Sequence, residues 1–197
     1  MIYTPAPKSL ALFGGTFDPI HLGHLQVAER ALNTLHLDKI IFIPNSIHPF
    51  GKRSEITNAD ARSNMIKLAL EAYPDFDYDL LELQREGFSF AVDTLRHFKK
   101  QYPETNLFFL IGGDNLAEFH KWKEPDEILK MAKLIVYQRT GQLMLNYEKN
   151  PRILFLEQPV INISSTEIRQ RLANAQSCDV FLPAPVKQFI IDKNLYV

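Results

Sequence analysis

Short apolar runs rich in branched and aromatic residues alternate along this chain with longer stretches of helical period. That alternation narrows the possible folds more than any other feature. The runs cover residues 9–13, 39–44, 76–83, 107–111, 134–138 and 153–156. Several are apolar on both faces, as strands of a parallel sheet must be when helices cover both sides. Between them, Leu22, Leu25, Ala28, Leu32 and Leu35 share one face, as do Ala61, Met65, Leu68 and Ala72. Val92, Leu95 and Phe98 mark a third helix. Parallel neighbours need a crossover, so the pattern predicts an α/β fold with a doubly wound, mainly parallel sheet. From about residue 160 the pattern turns helical, and Pro183-Ala184-Pro185 precedes a last short helix bearing Val186, Phe189 and Ile190. With 197 residues, 46% of them hydrophobic, the expectation is one domain over 1–197 with a small helical C-terminal part.

In such a sheet, ligands bind beyond the carboxyl ends of the strands, at the crevice where strand order reverses. There the first run passes into Phe13-Gly14-Gly15-Thr16-Phe17-Asp18-Pro19-Ile20-His21-Leu22-Gly23-His24, which reads as strand, glycine turn and helix start. The first N–H groups of a helix point outward unpaired, and the helix dipole adds about half a positive charge there. Gly14 and Gly15 let an anion approach the backbone, while His21 and His24 add donors able to carry charge. The segment is a phosphate site with histidines where other nucleotide binders use lysine. It spells neither Gly-x-Gly-x-x-Gly nor the Gly-Lys-Ser/Thr of a P-loop. The nearest lysine match, Gly51-Lys52-Arg53, lacks the hydroxyl.

Ile163-Ser164-Ser165-Thr166-Glu167-Ile168-Arg169 supplies a second anion site. Ser164 is placed to accept from the Glu167 N–H, and Glu167 to reach back to the Ser164 N–H, in a capping box. Ser165 and Thr166 set hydroxyls among the first N–H groups, and Arg169 follows one turn on. Two such helix starts in one small protein imply a ligand with several phosphates.

Composition excludes several classes. A net charge of −1 and the lack of a basic stripe argue against nucleic acid as a partner. No apolar run is long enough to span a membrane, and residues 1–8 lack an apolar signal core. Cys178 is the only cysteine, so no intrachain disulfide can form and a reducing, cytoplasmic setting is expected. No Ser-His-Asp or Cys-His set stands out for nucleophilic catalysis. His36, His48, His97 and His120 show no ligand spacing, and no protein-built metal site is expected.

His-x-Gly-His at 21–24 and Ile-Ser-Ser-Thr-x-Ile-Arg at 163–169 resemble the two signatures of the nucleotidyltransferase superfamily. Blocks between them resemble bacterial nicotinate-nucleotide adenylyltransferases, over nearly the whole chain. They are Arg62-x-x-Met65, then Glu82-x-x-Arg85-x-Gly87-x-Ser89-Phe90-x-x-Asp93-Thr94-Leu95, then Ile111-Gly112-Gly113-Asp114-Asn115-Leu116, Trp122 and Arg139-x-Gly141. The end, from Leu182-Pro183 to Leu195-Tyr196, fits as well. Two departures stand out. Where the family usually shows Pro-Pro-His-Lys, His48 and Lys52 are present but displaced, and Ala91 stands where threonine is common.

The resemblance implies a Rossmann-like nucleotidyltransferase fold and transfer of AMP from ATP to nicotinate mononucleotide. The products would be deamido-NAD and pyrophosphate, within NAD biosynthesis. The attacking 5′-phosphate, with a second pKa of about 6, is already largely ionised and needs no general base. By the same resemblance His24 serves the α-phosphate, His21 the neighbouring oxygens, and Gly14, Gly15, Thr16 and Phe17 orient them. Ser165, Thr166 and Arg169 grip the departing phosphates, so that His21, His24 and Arg169 form the catalytic set. Ser89, Ala91, Gly112, Asp114 and Trp122 would hold the mononucleotide, with Trp122 stacked on the pyridine ring. Mg²⁺ would ride mainly on the ATP phosphates. Lys52 and Arg53 would close over them. An amide or phosphopantetheine acceptor, or a nucleotide sensor without activity, are the competing readings.

Overall fold

The computed structural model describes residues 6–46, 56–85, 87–137, 147, 149–156 and 163–197. Its strands are β1 (Ser9–Gly15), β2 (Lys39–Pro44), β3 (Phe76–Tyr78), β4 (Asn106–Gly112), β5 (Ala132–Tyr137) and β6 (Ile153–Leu156). The helices are α1 (Leu22–Leu35), α2 (Ala59–Leu70), α3 (Leu81–Gln84), α4 (Ala91–Gln101), α5 (Gly113–Ala117), α6 (Pro125–Met131), α7 (Ser165–Ala173) and α8 (Ala184–Asp192). The strands form one six-stranded sheet in the order β3-β2-β1-β4-β5-β6. Every pairing is parallel. The chain winds outward from β1 to β3, then returns to lay β4 on the other side of β1. The expected doubly wound α/β sheet is therefore present, and the order reverses between β1 and β4.

Side chains of β1 alternate between two apolar clusters, as the two-residue period of a strand requires. Ala11 and Phe13 join Phe42, Leu25 and Ala28 on one face. Leu10 and Leu12 join Val92, Leu95 and Phe109 on the other. The apolar stretch at 76–83 behaves differently from the expectation. Its strand ends at Tyr78, because edge strand β3 pairs only with Ile40–Phe42 of β2. The Asp79 carboxylate then accepts the Leu81 N–H at 2.8 Å and turns the chain into α3. Ala72 is exposed past the end of α2, whose buried face runs instead through Ala61, Arg62, Met65, Ile66 and Ala69. The last helix starts at Ala184 and takes Pro185 into its first turn, where a missing N–H costs nothing.

The C-terminal helices close over the first face. Ile168, Leu182, Val186 and Ile190 share a cluster with Phe13 and Leu25. The Leu22 N–H donates to the Phe181 carbonyl at 2.8 Å, which ties this segment to the start of α1. No helix among the described residues is long and apolar enough to cross a membrane.

Candidate active site

The C-terminal ends of β1 and β4 lie side by side, with Gly14-Gly15 on one and Gly112 on the other. Their glycines answer to space. A Cβ on Gly15 would meet the Phe17 ring at 2.8 Å, and one on Gly112 would meet an Asp114 carboxylate oxygen at 2.4 Å. Phe17 adopts a left-handed conformation, φ 50, that sends its ring into the core, edge-on to Phe13. Its side chain is thus a packing element, and only its backbone is left to meet a ligand.

His21 caps the N-terminus of α1 and is 3% exposed. Its main-chain N–H donates to Nδ1 of His24 at 3.2 Å, and the two rings stack with centroids 3.7 Å apart. With Nδ1 of His24 accepting, Nε2 carries the proton of the neutral ring. His24, half-buried, is the outer of the pair.

The second signature lies against the first. Ser165 Oγ donates to the Pro19 carbonyl at 2.9 Å, and Arg169 Nη1 donates to the Asp18 carbonyl at 2.7 Å. A second guanidinium nitrogen of Arg169 reaches Thr166 Oγ1 at 3.5 Å. Ser164 Oγ accepts the Glu167 N–H at 3.1 Å, as the capping pattern predicts. The Glu167 carboxylate, however, lies with Arg171 at 3.4 Å. The starts of α1 and α7 therefore form one donor-rich surface.

Arg62, without an assigned role in the sequence reading, gathers the surrounding loops. It is 3% exposed and donates to the carbonyls of Thr16 and Asn45, each at 2.9 Å, and of Thr57 at 3.1 Å. Burial pulls its pKa down, while the nearby Asp18 and Tyr196 act the other way. It stays charged at neutral pH.

A cavity of about 540 Å³ opens beside the glycine turn. Gly14, Gly15 and Thr16 form one wall, and Ser89, Ala91 and Trp122 face it. The cavity thus gathers most of the expected mononucleotide set, while Gly112 and Asp114 stand next to it at the end of β4. His21, His24, Ser165, Thr166 and Arg169 lie outside that lining, around the starts of α1 and α7. Trp122 is half-buried, tilted against Phe119 with centroids 5.5 Å apart. Ala91 opens α4, so its N–H is among the four that a helix leaves unpaired.

Two further cavity residues had no role assigned from the sequence, although Glu82 opens one of the family blocks. Glu82 is 5% exposed and accepts the Thr94 hydroxyl at 2.5 Å. Burial pushes its carboxyl pKa up, against the lowering pull of the Thr94 and Ser89 hydroxyls. Asn45 is equally buried, and among the described residues its side-chain oxygen has no hydrogen-bond partner. Signals existed for both: an acid set among leucines at 80, 81 and 83, and a polar residue directly after a strand's end. His36, His97 and His120 are exposed. His48, Lys52, Arg53, Arg139 and Gly141 lie outside the described residues.

The doubly wound sheet, with two phosphate-type helix starts meeting at its switch point, is the architecture of a nucleotidyltransferase. The chain belongs to the cytidylyltransferase-like family, which matches residues 12–171. Within it, the chain belongs with the nicotinate-nucleotide adenylyltransferases. It is 38% identical to the nicotinate-nucleotide adenylyltransferase of Bacillus subtilis, over 96% of this chain and 98% of that protein. The fold matches the nicotinic acid mononucleotide adenylyltransferase of Plasmodium falciparum complexed with NaAD, with TM-score 0.80 and 21% identity. That match covers 96% of this chain and 97% of the other. The same Plasmodium protein complexed with APC gives a TM-score of 0.78 over the same shares, again at 21% identity.

Proposed function

We propose that this protein transfers AMP from ATP to nicotinate mononucleotide, releasing pyrophosphate and forming deamido-NAD for NAD biosynthesis. The observation that carries the reading is the meeting of the α1 and α7 starts beside a cavity with an indole face and a helix N-terminus. A triphosphate suits the first part, and a pyridine nucleotide the second. The name of the Bacillus relative supports the same assignment.

Catalysis on this reading is alignment and charge neutralisation. His24 meets the α-phosphate through Nε2, and His21 behind it sets the ring and helps with neighbouring oxygens. Ser165, Thr166 and Arg169 hold the departing β- and γ-phosphates, and the guanidinium has donors beyond the one committed to Asp18. Gly14, Gly15, Thr16 and Phe17 contribute backbone N–H groups, with the Thr16 hydroxyl beside them. Magnesium, when bound, neutralises phosphate charge. The side chains gathered there are mainly donors, which suit anions, so Mg²⁺ would be carried mainly by the ATP phosphates, with Asp114 the carboxylate that would meet its hydration shell. The pyridine ring stacks on Trp122, and its carboxylate meets the first N–H groups of α4. Ala91 serves there by its backbone, so the exchange for threonine leaves that contact intact. Ser89, Gly112 and Asp114 complete the mononucleotide side. The partners are small molecules, and the setting is cytoplasmic, in keeping with one buried cysteine.

The test is pyrophosphate release with ATP and Mg²⁺, comparing nicotinate mononucleotide, nicotinamide mononucleotide and phosphopantetheine. Strong preference for the first is expected. Preference for either other acceptor overturns the substrate assignment and keeps the phosphate chemistry, whereas no release with any of them overturns the enzyme reading for these acceptors.

A further inference from the structure

We propose that Tyr196, beyond α8, is a positioning residue for the ATP side of the site, acting through the buried Asp18 carboxylate. The proposal rests on reading the turn before α1 as the phosphate site. Residues 16–20 join β1 to α1 without regular structure, so side chains from elsewhere must hold them. Asp18 is the hub. It is 1% exposed, and its carboxylate is bound from two directions. The Thr57 N–H donates to Oδ2 at 3.1 Å, and the Tyr196 hydroxyl donates to Oδ1 at 2.5 Å. The carbonyl of the same residue accepts Arg169, and the next carbonyl accepts Ser165. The second signature and the C-terminal tail thus grip one residue, three positions before His21.

The tail is shaped for this contact. Asn194, φ 48, ends α8 in the left-handed position that asparagine readily takes after a helix, with the Leu195 N–H returning to the Ile190 carbonyl at 3.0 Å. Tyr196, φ 65, is left-handed as well, a conformation a tyrosine keeps only where contacts hold it. The Tyr196 ring also packs on the core cluster that contains Phe17 and Ile20. Burial first, and the Asp18 contact second, push the phenol pKa well above its ordinary value. Tyr196 therefore remains a proton donor throughout the neutral range. Without that donor the buried carboxylate is left short of a partner, and the residue it belongs to is the one whose carbonyl receives Arg169. The pyridine side hangs on α4 and the Trp122 segment, neither of which touches Asp18 through any bond described above.

Tyr196→Phe keeps the ring and removes only the hydroxyl. It is expected to raise the KM for ATP about tenfold, with the KM for nicotinate mononucleotide changed less than twofold and the thermal midpoint lowered by a few degrees for the donor lost to a buried carboxylate. Calorimetric titration with MgATP alone should show the same loss. That readout needs no acceptor, so it stands even if the acceptor assignment fails. Asp18→Ala, which removes the acceptor altogether, supplies the second arm: if Tyr196 acts through Asp18, adding Tyr196→Phe to it costs no further ATP affinity. An unchanged ATP affinity in Tyr196→Phe overturns the proposal. So does an equal rise in both KM values, or full additivity in the double variant.

Discussion

His24 shows how much a single side chain is asked to do. It closes the helix cap with Nδ1, and the proposed mechanism gives its other nitrogen to the ligand. One charge-assisted contact to a developing phosphate charge contributes about 2–4 kcal/mol. His24→Ala is expected to lower kcat about a hundredfold or more, read by pyrophosphate release at saturating substrates. A rate near that of the parent protein would remove His24 from the phosphate step. Glu82 makes the opposite kind of demand, because its charge is buried. Its folded-state pKa is raised above the ordinary 4.5, so the folded protein holds a proton that the unfolded chain gives up. Its favourable contribution is complete below the unfolded value and is lost as pH rises through the raised one. Glu82→Gln is expected to flatten that fall, seen by comparing thermal midpoints of both proteins from pH 4.5 to 8. Parallel curves would contradict it. Both signature histidines were legible in the sequence, since a cap position follows from neighbours alone. Glu82 and Asn45 were not, because their meaning depends on a cavity whose other walls come from distant segments.

On the proposed mechanism helix starts carry the chemistry, and Arg62 of α2 ties down the loop that leads into one of them. Arg62 looks in sequence like any basic residue of an amphipathic helix. Its reach to the carbonyls of Thr16, Asn45 and Thr57 exists only once β1, β2 and α2 are assembled. Arg62→Ala leaves those acceptors without a donor and opens a void, and is expected to cost about 3 kcal/mol in urea unfolding. A loss within 0.5 kcal/mol, the scale of ordinary surface changes, would show that water replaces the guanidinium. Most strands were readable at this scale from their two-sided apolar character. β3 was overextended because the chain leaves the sheet at Asp79, whose carboxylate turns it into α3 while β2 runs on to Pro44, and apolar residues beyond the turn can serve a short helix equally well.

Over the whole molecule, the α7–α8 segment is lid of the core and, on the proposed mechanism, half of the phosphate site. Ile190 is 2% exposed in the cluster that also holds Phe13 and Leu25. Ile190→Ala is expected to cost about 2–5 kcal/mol of stability. Because docking of this segment carries Ser165 and Arg169, MgATP affinity is expected to fall before the protein unfolds. Calorimetry of the folded variant well below its midpoint checks this, and unchanged affinity would mean that the segment docks without Ile190. The alternation of strand and helix, the glycine turn and both caps were set by the sequence itself. They follow from short-range sterics, hydrogen bonding and burial period. The convergence of α1 with α7, the grip of Arg62, the cavity at Glu82 and Asn45, and the Tyr196–Asp18 bond were decided only by tertiary structure. Sheet order and crossover geometry bring those residues together, and spacing along the chain does not encode the distance between loops.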